Sequence, residues 1–223
     1  MNRTEFRNLL IADNQAGFGG GININWGGAE FDNVTVVSNR GGGIVVNYEA
    51  QVYVRNSIVW YNTPSQIGFE SSGMYMYATV THSDIQGGAG GINTFGGRGV
   101  LDWQTGNISA VPGFLPGTYI PNPASPCVNK GTNAPGITPL SKDLKGDRRL
   151  DFGLVDMGAY EYTTKGPPLN ANEVMVWNGA PGNMVVPCGS VPPPAMLGTI
   201  GGCTNPAVGQ QPTVTVTFAQ STS

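Results

Sequence analysis

Three stretches of this chain repeat one another, and a repeat of that length leaves few ways to fold. Residues 6–14 (FRNLLIADN), 31–39 (FDNVTVVSN) and 54–62 (VRNSIVWYN) align without a gap. The step from Asn8 to Asn33 is 25 residues and that from Asn33 to Asn56 is 23. A second asparagine follows each of these, at Asn14, Asn39 and Asn62. Glycine runs leading into short apolar stretches come next, at 19–24 (GGGINI) and 41–46 (GGGIVV), and a degenerate fourth unit stands at 80–85 (VTHSDI). A period in the low twenties, with short strands and no helical periodicity, specifies a solenoid whose coils hide their apolar faces only against their neighbours. Leucine-rich repeats share that period, but their LxxLxL pattern is absent.

The alignment also says which residues face inward. Phe6, Phe31, Val54 and Val80 form one apolar column, and Ile11, Val36, Val59 and Ile85 form another. Arg7, Asp32, Arg55 and Thr81 fall in one outward column, and Leu10, Thr35, Ile58 and Asp84 in the next. Asparagines at fixed turns can hydrogen-bond along the stack and tolerate left-handed backbone angles. Composition agrees with strands and tight turns: 34 glycines, 17 prolines and 11% charged residues, against ~25% charged in ordinary soluble domains. A net charge of −3 argues against a nucleic-acid partner, which needs a basic footprint. No apolar run is long enough to span a membrane. The first residues, MNRTEFRN, lack the apolar core of a signal peptide. Because Phe6 already sits inside a repeat, we read this as a cut-off start.

After about residue 91 the repeat fades and Gly, Pro, Asn and Asp dominate. Residues 106–114 (GNISAVPGF), 125–131 (SPCVNKG), 143–149 (DLKGDRR) and 155–161 (VDMGAYE) resemble the closing motifs of bacterial right-handed parallel β-helix repeat proteins with a choice-of-anchor Q type module. The likeness covers about 6–162, and the last motif is its most specific part. Ser109, Val111, Asn129 and Lys145 stand where that family carries aspartate. The resemblance implies an all-β fold, a right-handed parallel β-helix over 1–165 ending in a cap, and a secreted or cell-surface location.

Beyond the linker at 165–168 (KGPP), residues 184–194 (MVVPCGSVPPP) and the period-two run 213–218 (TVTVTF) resemble the opening of an HYR-type immunoglobulin-like repeat. This predicts a partial β-sandwich-like module over 166–223. Cys188 and Cys203 enclose a Pro/Gly-rich loop whose spacing allows a disulfide, and two buried thiols are the alternative. Three cysteines without CxxC and one histidine give no zinc pattern.

Candidate chemistry is sparse. His82 and Asp84, two residues apart, could pair as a base and its orienter, or Asp84 could pair with Asp102 as acids. The repeat alignment favours a plainer role, with His82 replacing a turn asparagine and Asp84 lying in an outward column. Asp143, Arg149, Asp156 and Glu161 form the densest charge cluster. They suit either an ion-paired plug closing the end of the solenoid or a Ca²⁺ site, and the plug is the better match. Residues 155–162 are expected to form a final strand there. Trp26, Tyr48, Trp60, Tyr61, Tyr75 and Tyr77 are read as exposed rings able to stack on sugars. The sequence therefore points to a non-catalytic secreted or surface stalk that contacts polysaccharide or cell-surface glycan. The alternative is a fragment of a polysaccharide lyase or polygalacturonase whose active coils lie upstream.

Overall fold

The computed structural model describes residues 3–70, 73–94, 98–133, 137–138, 141–150 and 154–163, together with three strands of the C-terminal part. The chain divides into two units, Met1–Gly166 and Pro167–Ser223.

The first unit is a parallel β-solenoid of about four coils, with no α-helix among the described residues. One ladder of strands contains β1 (Arg3–Ala12), β3 (Gly28–Val37), β5 (Gln51–Arg55) with β6 (Ile58–Trp60), β8 (Met76–Thr81) with β9 (Asp84–Ile85), and β11 (Gly99–Trp103). The other contains β2 (Ile22–Asn25), β4 (Ile44–Asn47), β7 (Ile67–Phe69) and β10 (Ile92–Thr94). Register pairs Phe6 with Phe31, Phe31 with Val54 and Val54 with Val80, and pairs Ile11, Val36, Val59 and Ile85 in the same way. Both inward columns expected from the sequence are therefore present. Their middle members are fully buried, together with Ile44, Ile67 and Phe69 from the second ladder.

Two bends shape each coil, and asparagine serves them differently. At the first bend Asn8, Asn33, Asn56 and His82 all adopt left-handed angles, with φ of 48, 52, 49 and 45°. At the second bend the left-handed residue is the one before the asparagine: Asp13, Ser38 and Tyr61. The asparagines there stack instead. Asn14 Nδ2 donates to Asn39 Oδ1 at 3.0 Å, Asn39 Nδ2 to Asn62 Oδ1 at 2.9 Å, and Asn62 Nδ2 to Gln66 Oε1 at 3.0 Å. The same oxygens accept the backbone N–H of Asn14, Asn39 and Asn62, at 3.0–3.1 Å for the last two. Beside the first bend runs a second ladder, in which the N–H groups of Val34, Ser57 and Ser83 donate to Ser57 Oγ, Ser83 Oγ and Asn107 Oδ1.

The repeat reaches further than the sequence suggested. β10 and β11 lie beyond residue 91, Trp103 pairs with Val80, and Ile108 bridges to Asp84. Leu101 and Trp103 keep the inward positions packed against the core, and the glycines at 87, 88, 90 and 91 lead into β10 through a 3₁₀ turn at Gly88–Gly91. Inward packing preserves the coil although Thr105 stands where the earlier units carry the bend asparagine or histidine.

The described residues of 109–162 correct the cap reading: they run as a strap along the flank of the coils, and 155–162 is not a strand. The strap contacts Asp84 in the fourth coil through Ala110 and Cys127, and Asn56 in the third through Thr132. It reaches Asn33 and Thr35 in the second through Asp156 and Ala159, and Asn8 in the first through the Lys142 carbonyl and Arg149. The first-bend asparagines thus aim their amides out of the coil, where the strap receives them. The physical reason for a lateral cover is the column Thr35, Ile58 and Asp84. It points away from the coil interior yet is fully buried, because an apolar flank must be shielded from water. Gly158, at φ 96°, allows the closest approach, since a Cβ there would lie 2.8 Å from both Ile58 Cδ1 and Thr35 Oγ1.

The second unit contains β12 (Asn183–Pro187), β13 (Thr199–Ile200) and β14 (Thr213–Thr217) in one antiparallel sheet, in the order β12–β14–β13. Met184 pairs with Val216 and Thr199 with Thr217. The period-two run is a strand, as its alternation predicted. Cys188 and Cys203 lie outside the described residues.

The asparagine ladder gives a direct expectation. Asn39→Ala removes a buried amide that serves both neighbours and leaves their groups unmet, at a cost of about 3 kcal/mol. Asn14→Ala, at the partly exposed end of the ladder, should cost clearly less. Urea unfolding of the two variants checks this, and equal midpoints would contradict it.

Candidate functional site

The outward face of β3, β5, β8 and β11 carries the polar residues nearest to a site. Down one register line stand Glu5, Glu30, Tyr53, Thr79 and Asp102, and down the next Arg7, Asp32, Arg55 and Thr81. Arg55 grips Asp32 with two bonds of 2.8 Å, from Nε to Oδ1 and from Nη2 to Oδ2. Arg7 Nη2 lies 3.7 Å from the same carboxylate. Arg3 Nη1 donates to Glu30 at 2.8 Å, and its guanidinium sits 4.0 Å from the centre of the Tyr53 ring. An open groove of about 220 Å³ runs between these side chains, lined by Glu30, Asp32, Tyr53, Arg55, Thr79, Thr81 and Gln104.

At the edge of that face stands an aromatic pair. Trp26 precedes β3 and Tyr48 precedes β5, one coil apart, and their rings stack with centroids 5.2 Å apart and planes 14° from parallel. Both are exposed, Trp26 at 55% and Tyr48 at 44%. Tyr75 precedes β8 at the corresponding boundary of the next coil, with the Arg98 guanidinium 5.6 Å from its ring centre. Tyr77, paired with Gln51, is also exposed.

The other two rings of the sequence reading are elsewhere. Trp60 is 5% exposed and packs with Ile58, Cys127 and Met157 beneath the strap, so it offers no surface to a ligand. It lies at the end of β6 in the flank that the strap covers, and the repeat alignment could not reveal that cover. Tyr61 is exposed but sits at the second bend, at the far end of the strands from Trp26. The sequence therefore gathered into one set rings that the coil divides into a stacked pair, two further exposed tyrosines, a core residue and a distant tyrosine.

His82 and Asp84 also separate. His82 takes the left-handed first-bend position, as the alignment implied, and its Nδ1 lies 2.9 Å from Thr81 Oγ1. Asp84 is not solvent-facing. It is fully buried, accepting the Ala110 N–H at 3.0 Å and the Cys127 Sγ–H at 3.2 Å. Burial pushes its carboxyl up to about 6, while the bonds from Ala110 and Cys127 pull the other way. Burial, then the Asp84 charge, raises the Cys127 thiol. The proposed acid partner Asp102 lies on the outward face and accepts from Gln104 Nε2 at 2.8 Å.

Asp143, Arg149, Asp156 and Glu161 do converge, within the strap. Arg149, only 1% exposed, donates to Glu161 at 3.4 Å, to the carbonyls of Gly158 and Ala159, and to Asn8 Oδ1. Asp143 accepts the N–H groups of Lys145, Asp147 and Glu161. Asp156 accepts those of Asn129 at 2.7 Å and Tyr162 at 2.6 Å, and Glu161 accepts that of Asp156. The carboxylates thus fold the strap by capturing backbone donors, in the manner of Asx turns. Burial raises Glu161 to about 10, with the Asp156 charge adding to it and Arg149 opposing it. Burial also lowers Arg149. For both partners desolvation outweighs their mutual attraction, as is common for buried pairs. Among the described residues no group of three or more His, Cys, Asp or Glu is arranged to hold a metal ion. The Cys127–Asp84 contact, the serine ladder and the bond from Tyr119 to Asp13 left no signal in the repeat alignment.

Two expectations follow from these buried groups. Asp84 titrates near 6 when folded, above the ordinary 3.8. Its contribution is therefore fully present below about pH 4 and is lost as pH rises through 6, a change of up to about 3 kcal/mol. Asp84→Asn should be more stable than wild type at pH 7.5 and show a smaller loss between pH 4 and 7, and superimposable pH–stability curves would contradict this. Arg149→Ala leaves Glu161, Asn8 and the Gly158 and Ala159 carbonyls without their buried donor, and should cost about 3 kcal/mol, read as a lower melting temperature. EDTA should leave wild-type melting unchanged, whereas a fall like that of Arg149→Ala would indicate a bound cation.

No family model matches the chain, and neither does any curated protein or any solved structure, so a functional reading rests on the geometry of these residues alone.

Proposed function

We propose that this chain is a non-catalytic, secreted or cell-surface β-solenoid that contacts carbohydrate through the Trp26–Tyr48 stack. The observation that carries this reading is the backbone on which the rings sit. Trp26 and Tyr48 both hold left-handed angles, φ 62° and 48°. Gly, Asn and Asp take such angles most readily and a bulky side chain there is strained; what sets these two apart from the left-handed Ser38, Tyr61 and His82 is that their rings stack on one another in the open. Strained residues cluster where a side chain must be presented in a fixed place. Two large rings, stacked and left exposed at such positions, fit a platform for the apolar C–H faces of sugar rings. The scaffold supports the same reading, since stacked coils hold the rings without the entropy cost that ordering a mobile loop would add on binding.

His82 and Asp84 point to separate partners, and the acids of the outward face are held by arginines or by Gln104, which favours contact over cleavage. Depletion from solution by insoluble polysaccharides (cellulose, chitin, xylan, starch and cross-linked pectate) tests the proposal. The full chain should bind at least one of them, and a Trp26→Ala/Tyr48→Ala double variant should bind about tenfold more weakly or worse, the loss of somewhat over 1 kcal/mol of stacking. Trp60→Phe should bind like wild type. Absence of binding to every polysaccharide, or a double variant that binds like wild type, would sink the reading.

A further inference from the structure

The face beside the aromatic stack has its positive charge already committed. Arg55 is closed onto Asp32 by two bonds, Arg7 contacts both Glu5 and Asp32, and Arg3 is held between Glu30 and the Tyr53 ring. These three arginines face four carboxylates, Glu5, Glu30, Asp32 and Asp102, leaving a net charge of −1 and, among the described residues, no unpaired guanidinium on the strand face. Nearer the edge, Arg98 donates to the Gly73 carbonyl and lies over Tyr75. The other groups lining the groove are neutral: the hydroxyls of Tyr53, Thr79 and Thr81 and the amide of Gln104.

We infer, resting on the carbohydrate reading above, that the ligand of this face is a neutral polysaccharide, laid from the Trp26–Tyr48 stack onto the groove, and not a polyuronate. A uronate carboxylate is recognised by an unpaired Arg or Lys, most tightly by a free guanidinium fork. Here the Arg55 fork is filled by Asp32, and Arg3 and Arg7 are each already paired with an acid, and pulling Arg55 towards a ligand would leave the half-buried Asp32 with only the 3.7 Å contact of Arg7. The excess negative charge adds repulsion along a chain of uronates. Sugar hydroxyls have the opposite relation to the same groups, since each donates as well as accepts. They can donate to the free lone pairs of Glu30 and Asp32 without breaking either pair, and exchange bonds with the Thr and Gln side chains. Volume agrees with a polymer that rests on the surface. The groove, about 220 Å³, is smaller than the ~300–1,000 Å³ of pockets that enclose a whole small ligand, and suits one unit of a longer chain. Trp26 lies in the turn two residues before β3 and Glu30 lies within β3, so stack and groove engage successive parts of one ligand.

Affinity electrophoresis of the full chain tests this, in gels containing hydroxyethyl cellulose, galactomannan, polygalacturonate or alginate. Wild type should be retarded by at least one neutral polysaccharide, with little change on added salt, and by neither polyuronate. Asp32→Asn frees Arg55, and Thr81→Lys adds a cation to the groove at a position whose cross-strand neighbour is Arg55. Each should acquire retardation by polygalacturonate that salt abolishes, with circular dichroism confirming that the variant is folded. Stronger retardation of wild type by a polyuronate than by any neutral polysaccharide would overturn this inference and leave the carbohydrate reading standing. Retardation by none of the four, together with no depletion by the insoluble polysaccharides, would remove the carbohydrate reading and this inference with it.

Discussion

Each coil of this solenoid can hide its apolar columns only against the next coil, so everything else depends on what holds neighbouring coils in register. Apolar stacking does not do this by itself, because valine on valine tolerates sliding. The asparagine ladder does. Asn39 Oδ1 accepts both the amide and the backbone N–H of Asn14, and Asn62 Oδ1 does the same for Asn39, so a slip of one residue would break several bonds in a dry interior. Unmet polar groups there cost about 1–3 kcal/mol each. The serine ladder at the first bend supplies a second, independent check on register.

That register is also what makes the flank coherent. Because the first-bend asparagines recur at one place, their outward amides form a line that a single segment can follow, from Asn56 through Asn33 to Asn8. The strap reads that line and covers Thr35, Ile58 and Asp84. It is folded by buried carboxylates that gather backbone N–H groups and by Arg149, which links it to the first coil. Desolvating these charges has a cost visible in the raised Glu161 and lowered Arg149.

The legible and illegible parts of the fold divide along a physical line. Interactions that recur with the coil were visible in the sequence: both inward columns, the asparagine positions and the parallel stacking. Those made once were not. Asp84 looked solvent-facing because its column points away from the coil interior, and only the strap, distant in sequence, buries it. Trp60 was misread for the same reason. The charge cluster was recognised as a unit, but its place was not, since nothing in Arg149 or Glu161 says whether they meet the end of a solenoid or its side. The fifth strand of that ladder escaped because inward packing by Leu101 and Trp103 maintains a coil without the bend asparagine that marks the earlier ones. At the functional face the sequence named Trp26 and Tyr48 but could not show that they stack, nor that the arginines nearby are paired with acids one coil away.

The same regularity that makes the scaffold rigid fixes the spacing of the rings it presents, and the account stands or falls on whether that presentation meets a sugar. The chain has four tryptophans, each giving one indole N–H resonance that substitution can assign. Titration of the full chain with a neutral oligosaccharide, followed by proton–nitrogen correlation spectra, is the most direct measurement. The account predicts that the Trp26 indole signal moves with saturation while that of Trp60, beneath the strap, stays in place. Movement of Trp60 or Trp103 with Trp26 unchanged, or no movement of any indole signal across neutral oligosaccharides, would contradict it.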